Sequence, residues 1–241
     1  MVGRLRLMEK EKLISNFNQV KENIKAAAGR ANRNYQDITL LAVSKNQSLD
    51  DIKILAEAGI NFFGENRVQE LEEKNEMLTA ENITLDWHFI GHLQRNKVKY
   101  LMRMKNCKMI ESIDSFRLAK EVNKRAKKNK REIPVLIEIN IAGDENKFGI
   151  TPEKAEDFLK KITNFDYLKV EGLMTVLPYL DDAEKLRSYF KDMKKLFDQL
   201  SKEVIPLKEL SMGMSNDYQL AVEEGATIVR VGSAIFGERE Y

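Results

Sequence analysis

Cysteine is almost missing from this chain. The single Cys107 excludes an intramolecular disulfide framework and a cysteine-rich zinc site, and it suits a reducing compartment. No stretch approaches the roughly 20 apolar residues of a membrane span, and residues 1–12 lack the apolar core of a secretory signal. A soluble, cytoplasmic protein with no membrane partner is therefore expected. Proline is scarce, four in 241 residues, and no Gly/Ser-rich, Pro-rich or low-complexity stretch separates halves of different composition. One domain over residues 1–241 follows. An excess of one charge is also absent: 40 basic against 38 acidic residues leave a formal +2, which does not announce nucleic acid as the main partner.

What the chain has is rhythm. Leu13, Phe17, Val20 and Ile24 recur at spacings of three and four among Lys, Glu and Asn, which predicts an amphipathic helix over Met8–Asn32, within a lead-in of residues 1–37. Short apolar runs follow at Ile38–Lys45, Phe62–Glu65, Trp87–Gly91, Met109–Ile113, Pro134–Asn140, Val170–Thr175, Leu210–Gly213 and Ile228–Gly232. Most contain β-branched residues and read as buried strands. Between them Leu49–Ala58, Val68–Leu78, Arg95–Met104, Phe116–Asn129, Pro152–Thr163, Ala183–Leu200 and Asp217–Glu224 read as helices. The alternation predicts a single (β/α)8 TIM-type barrel over residues 38–237 preceded by an extra N-terminal helix, with a doubly wound open sheet as the alternative.

A barrel gathers its chemistry at the carboxyl ends of its strands. The period of two sets Lys45 on the face of Leu41 and Val43, the barrel interior. A partly desolvated amine there is a nucleophile suited to Schiff-base chemistry; the plainer reading is a lysine that snorkels to solvent. At the last two strand ends, Ser211-Met212-Gly213-Met214-Ser215 and Arg230-Val231-Gly232-Ser233 supply hydroxyls and close-approach glycines where strand passes to helix. That pattern fits an anion site, or simple N-caps at Ser215 and Ser233.

These motifs, with Ala42-Val43-Ser44-Lys45, Phe63-Gly64-Glu65-Asn66-Arg67-Val68-Gln69-Glu70, Trp87-His88-Phe89-Ile90-Gly91-His92, Gly172-Leu173-Met174-Thr175 and Val229-Arg230-Val231-Gly232-Ser233, make the sequence resemble the pyridoxal phosphate homeostasis (YggS/PROSC-type) family. The resemblance runs from about Ile38 to Gly237. It implies a fold-type III barrel like that of alanine racemase, pyridoxal 5′-phosphate held as a Schiff base on Lys45, the phosphate held by Ser215, Gly232 and Ser233, and Arg230 facing the pyridine nitrogen. It further implies cofactor buffering and delivery rather than turnover, by a monomer, with cofactor-requiring apoenzymes as recipients. An amino-acid racemase is the competing reading, although the sequence runs only nine residues beyond Gly232, too few for the β-rich second domain of the racemases. After Lys45 the family usually continues Thr-Lys-Pro; here Asn46-Gln47-Ser48 follows, and the missing proline predicts a looser loop.

Arg230 needs an acceptor or an anion, and Glu138 is the structural candidate. His88 and His92, four apart, straddle a strand end rather than a helix face, so His88 reads as a lining of the cofactor pocket or a hydrogen-bonded core histidine rather than as a metal ligand. Asn66 either approaches the cofactor ring or caps the following helix, and Met174 and Met212 read as pocket wall or core. The basic runs Arg95–Lys108 and Lys124–Arg131 alone support a nucleic-acid module, with Tyr100 the sole interleaved aromatic of the first run.

Overall fold

A computed structural model describes residues 2–237 of the chain. Residue 1 and residues 238–241 of the expected domain lie outside them. The first element, α1 (Val2–Arg30), buries the predicted stripe of Leu13, Phe17, Val20 and Ile24 together with Ala27 and Ala28. It begins upstream of the expected Met8 and ends before Asn32, which turns the chain at φ 53°.

After a 3-10 turn at Tyr35–Asp37 come β1 (Thr39–Val43), α2 (Leu49–Glu57), β2 (Phe62–Glu65), α3 (Val68–Ala80) and β3 (Asp86–Phe89). A second 3-10 turn at Arg95–Lys97 leads into α4 (Val98–Leu101), β4 (Cys107–Ile113), α5 (Phe116–Lys128), β5 (Ile133–Glu138) and α6 (Pro152–Ile162). The chain finishes with β6 (Leu168–Met174), α7 (Ala183–Glu203), β7 (Glu209–Ser211), α8 (Tyr218–Glu223), β8 (Ile228–Val231) and α9 (Ser233–Phe236). Every strand pairs in parallel with the next, and β8 returns to β1 through Leu41↔Arg230 and Ala42↔Val231. The sheet is a closed barrel, not the doubly wound alternative.

Two elements depart from expectation for visible reasons. The helix expected over Arg95–Met104 is a 3-10 turn plus one α turn, because no side chain caps it at Gln94 and only Val98 and Leu101 of α4 are buried. Strand β7 stops at Ser211 rather than Gly213 because Gly213 adopts φ 92°, and a Cβ there would lie 2.5 Å from that of Ala221.

The alternation of strand side chains sorts the core into two. Ala42, Phe63, Trp87, Phe89, Ile110, Val135 and Val231 lie between sheet and helices. Leu41, Met109, Leu136, Met174 and Ile228 form a separate apolar floor inside the barrel. Two residues further along three of those strands, the same inward face carries Glu111, Glu138 and Arg230, all buried. Above the floor, therefore, sits a polar layer.

Candidate active site at the barrel mouth

Arg230 is 4% exposed, so its charge must be met inside the barrel. Its guanidinium donates to Ser211 Oγ at 2.6 Å and to the Thr175 carbonyl at 2.6 Å. Ser211 in turn donates to Glu111 Oε2 at 2.6 Å, and the other oxygen, Oε1, lies 2.7 Å from His88 Nδ1. Burial opposes ionisation of Glu111, yet the hydrogen bonds from His88 and Ser211 and the charges of His88 and Arg230 hold its carboxyl below the usual range. An ionised carboxylate only accepts, so Nδ1 of His88 carries the proton in this pair. Glu138, the expected partner of Arg230, makes no salt bridge with it among the described residues. Burial, together with the nearby Asp114, instead pushes its carboxyl up to about 7, against the pull of Arg230 and Lys147. Arg230 is satisfied by a hydroxyl, a carbonyl and the field of Glu111 and Asp217 as well as Glu138. Glu111 was not singled out from sequence; an acid inside the run Met109-Ile110-Glu111-Ser112-Ile113 was the available signal.

Lys45 lies two residues beyond Val43, half-buried, with no hydrogen bond or ion pair among the described residues. The loop after it is not loose. Gln47 N–H donates to the Ser44 carbonyl, Asn46 N–H to Glu70 Oε1, and Ser48 caps α2 by accepting from Asp51 N–H at 3.1 Å. Asn46 sits at φ 59°, a left-handed conformation that Asn tolerates better than most side chains. Ser48 thus fixes the start of α2 without a proline. Asn66 follows β2 at the same end of the barrel and does not cap α3, whose N-cap is Arg67. Its backbone is overlain by Gly91, where a Cβ would meet the Asn66 carbonyl oxygen at 2.2 Å.

Across the mouth, Gly232 packs against Val43, so β8 brings the second loop beside the lysine strand. Ser215 Oγ accepts from Gly232 N–H at 3.1 Å and from Ala234 N–H at 3.2 Å. Neither serine is the cap of its own helix: Asp217 precedes α8, and Gly232 precedes α9. Asp217 accepts from Met214 N–H and ties the Ser215 loop. Ser233 is exposed at the first position of α9. Met174 belongs to the apolar floor inside the barrel, but Met212 does not: Ser211 points inward, so the next side chain turns out to the core under the helices.

The remaining sequence features disperse. His92 leaves His88 to Glu111; its ring stacks on Phe148 with centroids 3.6 Å apart and its Nδ1 lies 3.0 Å from Asp114. In the basic runs, Lys97 and Lys99 lie over the Tyr100 ring at 5.6 and 4.8 Å. Arg95, Arg117, Lys120, Lys124 and Lys127 line a groove of about 1190 Å³ on the outer wall. No helix of the described residues is long and apolar enough to cross a membrane.

The mouth thus gathers an uncommitted amine, two backbone N–H groups bridged by one hydroxyl, and a buried guanidinium. Comparison with known proteins agrees with this chemistry. Residues 15–240 match the family described as alanine racemase, N-terminal domain. The pyridoxal phosphate homeostasis protein of Aquifex aeolicus (strain VF5) is 44% identical over 226 residues, 93% of this chain and 97% of its own. A crystal structure of a protein from Bifidobacterium adolescentis superposes with a TM-score of 0.88 at 33% identity, over 95% of this chain and 96% of that one. PipY of Synechococcus elongatus PCC7942, with PLP bound, superposes with a TM-score of 0.78 at 31% identity, over 89% of this chain and 100% of its own. On fold, site and kinship together, the chain belongs to the pyridoxal phosphate homeostasis protein family, within the alanine racemase N-terminal barrels.

Proposed function

We propose that this protein binds pyridoxal 5′-phosphate covalently through Lys45 and holds and releases it in the cytoplasm, as a monomer supplying apoenzymes, without turning over a substrate. The observation that carries the reading is the free, half-buried Lys45 amine at a barrel mouth whose adjoining rim, on the neighbouring strand β8, is the Ser215–Gly232–Ala234 cradle. The relative PipY has a structure with PLP bound, and the Aquifex aeolicus relative is named for its homeostasis.

When bound, the cofactor supplies an aldehyde that condenses with an amine. Lys45 supplies that amine from a strand end where no hydrogen bond or ion pair among the described residues engages it. The Ser215 oxygen accepts from the N–H groups of Gly232 and Ala234, which leaves its hydroxyl proton to donate to a phosphate, with the exposed Ser233 hydroxyl beside it. Arg230, fixed from two sides, disfavours a proton on the ring nitrogen by placing permanent positive charge in the barrel, which weakens the ring as an electron sink. Asn66, His88 and Met174 complete the wall. A weakened sink suits retention better than carbanion chemistry.

The test is incubation of the purified protein with pyridoxal phosphate, borohydride reduction and peptide mapping. The adduct is expected on Lys45, and Lys45→Ala should lose the visible absorption of the bound cofactor with its circular dichroism unchanged. A principal adduct on any other lysine overturns the assignment.

A further inference from the structure

Behind Lys45, on the helix-facing side of the sheet, lies a second buried polar cluster that the cofactor reading does not use. Lys74 of α3 is 7% exposed, an unusual place for a lysine. Its ammonium donates to the Ser44 carbonyl at 2.6 Å, to Glu65 Oε1 at 2.7 Å and to Glu70 Oε1 at 2.7 Å. All three of its protons are therefore placed. Glu65 is wholly buried and also accepts from the Ser44 hydroxyl at 2.7 Å. Glu70 Oε1 accepts a second bond, from Asn46 N–H.

The geometry brackets one residue. Lys74 holds the carbonyl of Ser44, the peptide unit entering Lys45; Glu70, itself bound by Lys74, holds the N–H of Asn46, the unit leaving it. We propose that Lys74 and Glu70 are positioning residues that fix the backbone on both sides of Lys45 and so aim its amine into the barrel mouth, setting how long pyridoxal phosphate is retained. This rests on the assignment of Lys45 as the attachment point.

Two features argue that the cluster is more than ordinary packing. A lysine and two acids under a barrel carry a desolvation penalty that apolar residues of similar volume would avoid, so their presence asks for something that apolar side chains cannot do. Holding a carbonyl and an N–H at a turn is such a task. Second, Asn46 is held at φ 59°, a conformation costly enough to need support from its surroundings, and Glu70 supplies that support at the strained residue itself. Glu65 Oε2 has no partner among the described residues, and burial raises the Glu65 carboxyl above its ordinary value despite Lys74. The firm acceptors of the clamp are thus Glu70 and the Ser44 carbonyl.

The experiment compares the parent protein with Lys74→Met, Glu70→Leu and Glu70→Gln. Amide hydrogen exchange of residues 44–47 is read without cofactor, and the dissociation rate and visible pH titration of the bound cofactor are read with it. Lys74→Met and Glu70→Leu should each speed exchange of the Asn46 amide and cofactor loss by about tenfold, the worth of one hydrogen bond to a charged group. Glu70→Gln keeps an acceptor for Asn46 N–H and should restore both towards the parent, a rescue that a space-filling role would not give. Exchange and retention equal to the parent's in the two disruptive variants would overturn the clamp. Should Lys74→Met not fold, the two Glu70 variants, on a half-buried side chain, carry the same comparison. A parent that fails to label at Lys45 rejects the cofactor assignment, and with it the cofactor arm of this proposal, while the exchange arm still decides whether the clamp exists.

Discussion

Glu111 and Glu138 stand in one inward-facing layer but differ in ionisation: the carboxyl of the first is held below its ordinary range by its neighbours, and that of the second is pushed up to about 7 by burial. Their effects on stability run in opposite directions. Glu111 has a folded-state carboxyl below its unfolded value, so its contribution is present above the unfolded value and is lost as pH falls through the folded one. Glu138, raised to about 7, behaves in reverse. As pH climbs from the unfolded value of about 4.3 to 7, the unfolded chain gives up a proton that the folded chain largely keeps, and stability falls by roughly 3 kcal/mol. Replacing Glu138 by Gln removes that slope. Glu138→Gln should match the parent in urea unfolding near the low end of this window and exceed it at pH 8. Equal unfolding midpoints at pH 8 would mean that the Glu138 carboxyl ionises in the folded state without penalty.

At the scale of elements, the short α9 is the one most in need of help. A single turn at Ser233–Phe236 cannot stand by itself, and α1 braces it: Asn16 donates to the Ile235 carbonyl at 3.0 Å, while Asn23 reaches the Tyr218 hydroxyl of α8 at 2.8 Å. The extra N-terminal helix thus steadies both elements that follow the Ser215 and Gly232 loops. Ser215 bridges those loops, so Ser215→Ala should weaken pyridoxal phosphate retention by about tenfold or more, the worth of about 1.5–3 kcal/mol for a bond to a charged group. Pyridoxal without its phosphate should be bound equally weakly by both proteins. Discrimination for the phosphate that survives intact in the variant would reduce Ser215 to a loop staple. The strands themselves were readable because each buried run is apolar and bounded by polar residues. Their ends were not, since Gly213 and Gly91 are set by contacts with Ala221 and Asn66 that no local pattern announces. The inward turn of Ser211 in place of Met212 is a matter of phase, and a strand as short as Glu209–Ser211 offers too few residues to read a period of two.

For the molecule as a whole, closure of the barrel is what converts separate strand ends into a site: β8 meets β1, which puts Gly232 against Val43 and the cradle beside Lys45. The motifs at those ends name Lys45, Arg230, Ser215 and Gly232 as candidates, whereas Glu111 and Lys74 enter through partners 23 and 30 residues distant in sequence, which no motif carries. The closed interior also limits what chemistry can be run. Racemisation withdraws an α-proton on one face of a bound substrate and returns it on the other, which needs two groups free to exchange protons. In the described interior Lys45 is uncommitted, but His88 gives its Nδ1 proton to Glu111 and Arg230 is held by Ser211 and Thr175. Among the acids around Arg230, Glu138, with its carboxyl at about 7, is the candidate for a second face. On the proposed role of Arg230, which weakens the ring as an electron sink, the loaded protein is expected to exchange the α-proton of alanine, serine, glutamate or lysine in deuterated buffer far below the ordinary enzymatic ~1–10³ per second. Proton NMR and chiral chromatography at stoichiometric protein read both the exchange and its stereochemistry. Saturable turnover within that range, lost in Lys45→Ala and in either His88→Ala or Glu138→Gln, would make the protein an enzyme and identify the opposite base.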